Sequence, residues 1–254
     1  MTMFSHIHSG INKMEKVSLA SLDSVSLQNR VDSKYIVSQK QLSAIFQYLE
    51  KEYFVLEIEG NSIFSYENNY FDTPDFQFYK DHHNGYSHRM KVRSRKYLES
   101  NQCFFEIKKK IHLERTQKYR EGIGEILTEI NGDRLQQIKE FSKRKITTIQ
   151  LILQNNFNRI TLVDKQFTER VTIDTNLTFI DKNQKISFGE IAIIEIKQSK
   201  KIGLQTKLTA YLKEKKIREQ SISKYIFGVI SLLPNMKKNN FLPMIKKIKN
   251  LSND

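Results

Sequence analysis

The densest chemistry in this sequence lies at residues 88–97, HRMKVRSRKY. Arg89, Lys91, Arg93 and Arg95 recur at every second position. On an extended strand such residues project from one face, about 7 Å apart, while Met90 and Val92 point the other way. Four cations in a row repel one another. On an open face solvent absorbs that repulsion; inside an enclosed sheet it takes carboxylates or a bound polyanion. Arginine forks and lysine point charges both match phosphate oxygens.

Other segments repeat the logic. In residues 104–110, FFEIKKK, Glu106, Lys108 and Lys110 share one face, with Phe105 and Ile107 on the other. Residues 191–197, IAIIEIK, are apolar until Glu195 and Lys197. That composition marks a buried strand, where charge is costly unless paired or liganded. Arg170, Thr172 and Asp174 follow the same spacing, as do Arg30, Asp32 and Lys34. Five strands with charge at period two predict a cation-rich barrel interior, and an extended polyphosphate-like anion suits it.

The elements that must position these residues are legible in outline. Strands are expected at 29–36, 54–59, 62–66, 69–73, 87–97, 102–112, 159–163, 169–174, 178–180 and 191–197. Ser38 opens a capping box with Gln41, and Leu42, Ile45, Phe46 and Leu49 predict a helix over 39–51. Two helices are expected within 133–156, with others at 204–216 and 223–233. Residues 1–20 read as a weakly ordered lead-in, 21–234 as one domain, and 235–254 as a basic tail in which Pro243 interrupts any helix. The result is an α+β fold, an antiparallel β-barrel with helices packed around it.

Composition bounds the alternatives. Lys and Arg total 42 against 28 Asp and Glu over 254 residues, a net charge of +14. That suits nucleic acid, an anionic membrane surface or a polyanionic small molecule. With charge confined to strand faces and no RNP, KH or helix-turn-helix signature, no specific nucleic acid is expected. No P-loop, dinucleotide-binding glycine pattern or Ser-His-Asp arrangement is readable. The lone Cys103 excludes an intramolecular disulfide and a cysteine zinc site, and suits an intracellular setting. No stretch reaches the roughly 18 apolar residues of a membrane span, and the first residues carry no secretory apolar core. A cytoplasmic protein is expected, with the basic end able to touch a membrane surface. His82 and His83 read as surface residues beside the Asn84-Gly85 turn, and Asp72, Pro74 and Asp75 as shaping a strand end.

Taken in order, these segments become recognisable. RVDSKY at 30–35, YFDTPD at 70–75, HNG at 83–85, KVRSRKY at 91–97 and FEIKKK at 105–110 are followed by KYRE at 118–121, RVTIDTNL at 170–177, IEIK at 194–197 and SKYIFGV at 223–229. The ordered set resembles the VTC domain family of polyphosphate polymerases, within the triphosphate tunnel enzymes. The resemblance implies an eight-stranded antiparallel tunnel that binds ATP with Mn²⁺ or Mg²⁺ and passes the terminal phosphoryl group to a polyphosphate chain. It implies phosphate contacts, and so catalytic roles, for Lys34, Arg93, Arg95, Lys108, Arg159, Arg170, Lys197 and Lys224. Arg30, Arg89, Lys91 and Lys118 would add to substrate binding, and Glu195 would hold the metal. A hard divalent ion does prefer carboxylate oxygen. Hydrolytic and cyclase relatives carry a first-strand ExExK motif where this chain has Arg30, Asp32 and Lys34. That departure favours a polymerase over a triphosphatase, and a non-catalytic polyphosphate binder stays open beside both. A membrane-associated partner is a further expectation.

Overall fold

The computed structural model describes residues 3–23, 30–111, 116–199 and 206–252. Its centre is an antiparallel sheet whose main path carries eight strands. In spatial order they are β2 (Arg30–Ser38), β11 (Ile191–Ser199), β9 (Glu169–Ile180), β8 (Gln150–Asp164), β4 (Ile63–Asp72), β5 (Met90–Tyr97), β6 (Cys103–Lys110) and β7 (Thr116–Ile123). Three short strands lie off this path: β1 (Lys16–Val17), β3 (Tyr53–Leu56) and β10 (Lys185–Phe188). The sheet curls far enough for Lys91 on β5 to sense Lys34 on β2 and Glu195 on β11 across the interior. Among the described residues its two ends, β2 and β7, do not pair, so the tunnel-like sheet is curled and not sealed.

The outer face is apolar because alternate residues place it there. Ile194, Ile196, Val171, Ile173, Ile160 and Leu162 pack against α3 (Gln39–Glu52), α6 (Lys207–Glu214) and α1 (Met3–Lys13). The Ser38–Gln41 capping box starts α3 as expected. Its buried Leu42, Ile45, Phe46 and Leu49 contribute roughly 6–12 kcal/mol before chain entropy is subtracted. Around the curl, Met90, Val92, Phe105 and Ile107 meet α4 (Gln77–His83) and α5 (Gly132–Ser142).

Helix packing also reaches the other side of the sheet. In α7 (Lys224–Leu232), Tyr225, Ile226 and Val229 cluster with Ile36, Tyr70, Leu153, Phe179 and Ile193, which all lie on the inner face. Gly228 permits this approach, since a Cβ there would meet Leu153 and Phe179 at 2.7 Å. Asp72 fixes the same helix. Wholly buried, its carboxylate accepts from the backbone N–H groups of Thr73, Phe78 and Tyr79 and from the Tyr225 hydroxyl at 2.5 Å.

Several expectations need correction. The second helix expected within 133–156 is absent: residues 150–156 belong to the long strand β8. The pairs 62–66 with 69–73, and 169–174 with 178–180, are single strands β4 and β9. Within the segment read as a lead-in, Ile7, Ile11 and Met14 are core residues. Pro243 does not interrupt α8 (Leu242–Ser252) but sits in its first turn, where a missing N–H is harmless. His83 is 5 % exposed and the Nε2 of His82 is buried, so neither is a surface histidine; burial and the nearby Lys91 and Arg89 hold His82 near 2. The ends of two expected segments, at 29 and 112, and residues 204–205 of the 204–216 helix fall outside the described residues.

Candidate functional site

Directly paired residues on neighbouring strands share a face, so register alone traces the inner surface. Starting from β2, Lys34 pairs with Glu195 and Asp32 with Lys197. Lys197 then pairs with Arg170, and Glu195 with Thr172. Next, Asp174 pairs with Arg159, Phe64 on β4 with Arg159, and Tyr70 with Arg93. Finally Arg93 pairs with Glu106, Lys91 with Lys108, Lys108 with Lys118 and Glu106 with Arg120. One continuous surface thus holds Arg30, Lys34, Lys91, Arg93, Arg95, Lys108, Lys110, Lys118, Arg120, Arg159, Arg170 and Lys197. Its strand carboxylates number four: Asp32, Glu106, Asp174 and Glu195. Lys224 enters from α7.

All four carboxylates are engaged. Arg159 holds Asp174 through two hydrogen bonds of 2.6 and 2.8 Å, and Lys224 Nζ donates to the same carboxylate. Arg93 Nε donates to Glu106 Oε2 at 2.5 Å, Lys197 Nζ lies 2.5 Å from Glu195 Oε1, and Arg30 Nε donates to Asp32 at 2.8 Å. Burial pushes these carboxyls up, but the cations outweigh it. Arg93, Arg95 and Lys108 hold Glu106 at about 2, and Arg159 and Lys224 hold Asp174 at about 2. Glu195 is held well below the usual range by Lys197 and Lys34.

The remaining cations are in surplus. Burial, then Lys34, Arg89 and Arg93, bring Lys91 down to about 7. Lys108 falls well below an ordinary lysine, first because of Arg93 and then because of burial. Arg95 Nε donates to Asn68 Oδ1 at 2.7 Å, and its guanidinium lies 5.2 Å from the Tyr66 ring. Among the described residues, Lys34, Lys91, Lys108 and Arg170 have no carboxylate within ion-pair distance, so the surface carries positive charge that its own carboxylates do not neutralise.

Every residue singled out in the sequence except Arg89 lies on this surface. Arg89 precedes β5, and its Nη1 donates to the Tyr86 carbonyl at 3.3 Å. Sequence reasoning placed Glu106 and Asp174 on charged strand faces at the right parity beside chosen cations but assigned neither a role in the site. It also missed Arg120, which shares parity with Lys118, and the aromatic pair Tyr66–Phe157, whose rings stack at 5.0 Å. No group of three or more His, Cys, Asp or Glu side chains among the described residues could hold a metal unaided. Nor is any described helix long and apolar enough to cross a membrane. A separate cavity of about 250 Å³, lined by Tyr48, Tyr53, Asp164 and Glu169, is remote in chemistry: Asp164 there is saturated by Thr168 and the Glu169 N–H.

Known proteins place this geometry. A protein from Bacillus halodurans, provisionally described as an adenylate cyclase, superposes with a TM-score of 0.52 at 14% identity, covering 77% of this chain and 94% of that one. A Hippeastrum protein, provisionally described as an adenylyl cyclase and showing a dominant triphosphatase activity, gives a TM-score of 0.46 at 13% identity, covering 78% and 94%. The first likeness shows a shared fold. No curated protein matches the sequence significantly. The family model of the VTC domain matches residues 29–233, which span the whole inner surface from β2 to α7, and the chain therefore belongs to the VTC domain family.

Proposed function

We propose that the protein is a polyphosphate polymerase, transferring the terminal phosphoryl group of ATP onto a polyphosphate chain held on the inner surface. The observation that carries this reading is the charge distribution: twelve strand cations face four carboxylates, each already ion-paired. An oxygen at the chain end attacks the γ-phosphorus of ATP, the β–γ bridging bond breaks, and ADP leaves. Such transfer asks the protein mainly for positioning and charge neutralisation. Arg93, Arg95 and Lys108 on one wall and Arg170, Lys197 and Lys34 on the other supply both.

The residues fit Mg²⁺ or Mn²⁺ only in a particular way. Every strand carboxylate already carries a cation, Glu195 included through Lys197, so an ion at Glu195, the ligand that the family resemblance implies, would take the place of the Lys197 amine there. A divalent ion bound through one carboxylate and substrate phosphates is a familiar arrangement. When bound, it would neutralise phosphate charge. The Arg30–Asp32 pair, standing where an acid-rich strand would gather metal ligands, favours transfer over hydrolysis.

The test is incubation with ATP and Mn²⁺ or Mg²⁺, with products resolved by length on a gel. Chains of increasing length are expected. Free phosphate alone would make the protein a triphosphatase, and tight binding without turnover a polyphosphate binder. Glu195→Gln is expected to keep the fold and lower turnover at least tenfold, about 1.4 kcal/mol. Unchanged turnover across a metal titration would remove Glu195 from the ion.

A further inference from the structure

We infer that this surface takes internal segments of a polyphosphate chain sideways, through the seam between β7 and β2, so that a chain need not enter by an end. The inference rests on the polyphosphate reading above and concerns how that anion arrives.

Exposure differs sharply around the inner face. On the wall opposite the seam, Asp174 is 1 %, Thr161 8 % and Arg95 7 % exposed. At the seam the same face is wet. Lys118, Arg120 and Gly122 on β7 are exposed, and so is Asp32 on β2. Arg120 keeps 47 % of its side chain in solvent although its register partner Glu106 keeps only 8 %. A wall closing over β7 would bury these positions. Beyond β2, the lip is the segment hung on the Lys34 carbonyl by Gln220 N–H at 2.7 Å. The other edge of β7 takes no strand among the described residues.

Both lips are basic, with Arg30 and Lys34 on one side and Lys118 and Arg120 on the other, so the opening itself attracts a polyanion. The axial route is narrower in choice. α7 lies across the inner face of β8 and β9, where an apolar layer of Leu153, Phe157, Leu177 and Phe179 replaces the charges. Every internal unit of polyphosphate also presents the same charged oxygens, so recognition does not require an end.

The experiment is competition, using a fluorescent short polyphosphate as the reporter. The competitors are linear polyphosphate of one length, unblocked or with a folded protein domain joined through a phosphoramidate to each terminal phosphate. Sideways entry predicts that the blocked chain displaces the reporter with an affinity within threefold of the unblocked one. A blocked chain that binds tenfold or more weakly shows that an end must thread, and overturns the inference while the polyphosphate reading stands. If neither chain binds, the polyphosphate reading falls and this one with it. Lys108→Glu must abolish binding of both. A blocked chain that still binds this variant sits on the outside of the protein, which also overturns the inference.

Discussion

Two regions of the inner surface handle charge in opposite ways. Around β8, β9 and α7, Asp174 is shared by Arg159 and Lys224; the carboxylate is almost wholly withdrawn from solvent and the two cations are largely so. Attraction dominates for two of the three, since Asp174 is held at about 2 and the Arg159 guanidinium is raised despite burial, while burial brings Lys224 below an ordinary lysine in spite of Asp174. Across the interior, Lys91 and Lys108 on β5 and β6 face other cations, and both are depressed. The first region is a finished structural joint. The second holds cations that its own carboxylates do not pair, and under the proposed function an anion completes it; on that reading the contrast separates scaffold from site among residues of the same type.

Breaking the joint should have the largest effect. Asp174→Ala leaves Arg159 and Lys224 buried without a counter-charge, and a loss of about 3–5 kcal/mol is expected in urea denaturation. A loss below about 1 kcal/mol would show that both cations relax into water, and the contrast would fail. The second test lies at the border between the regions. Arg93 spends its Nε on Glu106 and donates from Nη1 to the Tyr70 hydroxyl at 3.5 Å, so under the proposed function Nη2 is the part of the fork left for phosphate. Arg93→Lys keeps the charge but cannot serve both, so kcat/KM should drop tenfold or more, about 1.4 kcal/mol. Near-full activity would reduce position 93 to a point charge.

The smallest effect is a proton. Lys91 titrates near 7 in the free protein, against 10.5 for an unperturbed lysine. Between those values the unfolded chain binds more protons, so this residue makes the ligand-free protein more stable as pH rises from 7. An anion restores its charge. Binding tripolyphosphate at pH 7 should therefore take up about 0.5 proton, read as a buffer-dependent heat by calorimetry. Affinity should weaken as pH rises through 7. Lys91→Met should lose both effects; a wild-type heat independent of buffer would place Lys91 with ordinary solvated lysines.

Much of this surface was legible because strands expose parity directly. Once 90–97 and 191–197 are strands, alternate charges must share a face, and only their mutual pairing remains to be found. What escaped has local causes. β9 reads as two strands because its phase breaks at Asn176, which adopts φ 53°. Before it, Val171 and Ile173 point to the outer core; after it, Leu177 and Phe179 point inward to α7. β8 was misread as helix because Gln154-Asn155-Asn156 blurs alternation, and Asn155 is wholly buried with its amide donating to the Thr178 carbonyl. β4 was split at Glu67-Asn68-Asn69 for the same reason, since Asn68 spends its polar atoms on Asn155 and Arg95. Buried amides inside a sheet carry no hydrophobic signature.

Gly228 sets a dimension. It lies four residues after Lys224, on the same side of α7, with Leu153 and Phe179 directly beneath it. The thickness of that contact is a spacer that decides how deep the Lys224 amine reaches towards Asp174. A single added methyl group would act as a shim under one end of a lever, lifting the amine from its partner without altering any charge. The electrostatics of the site are thus gauged by a residue that has no side chain at all.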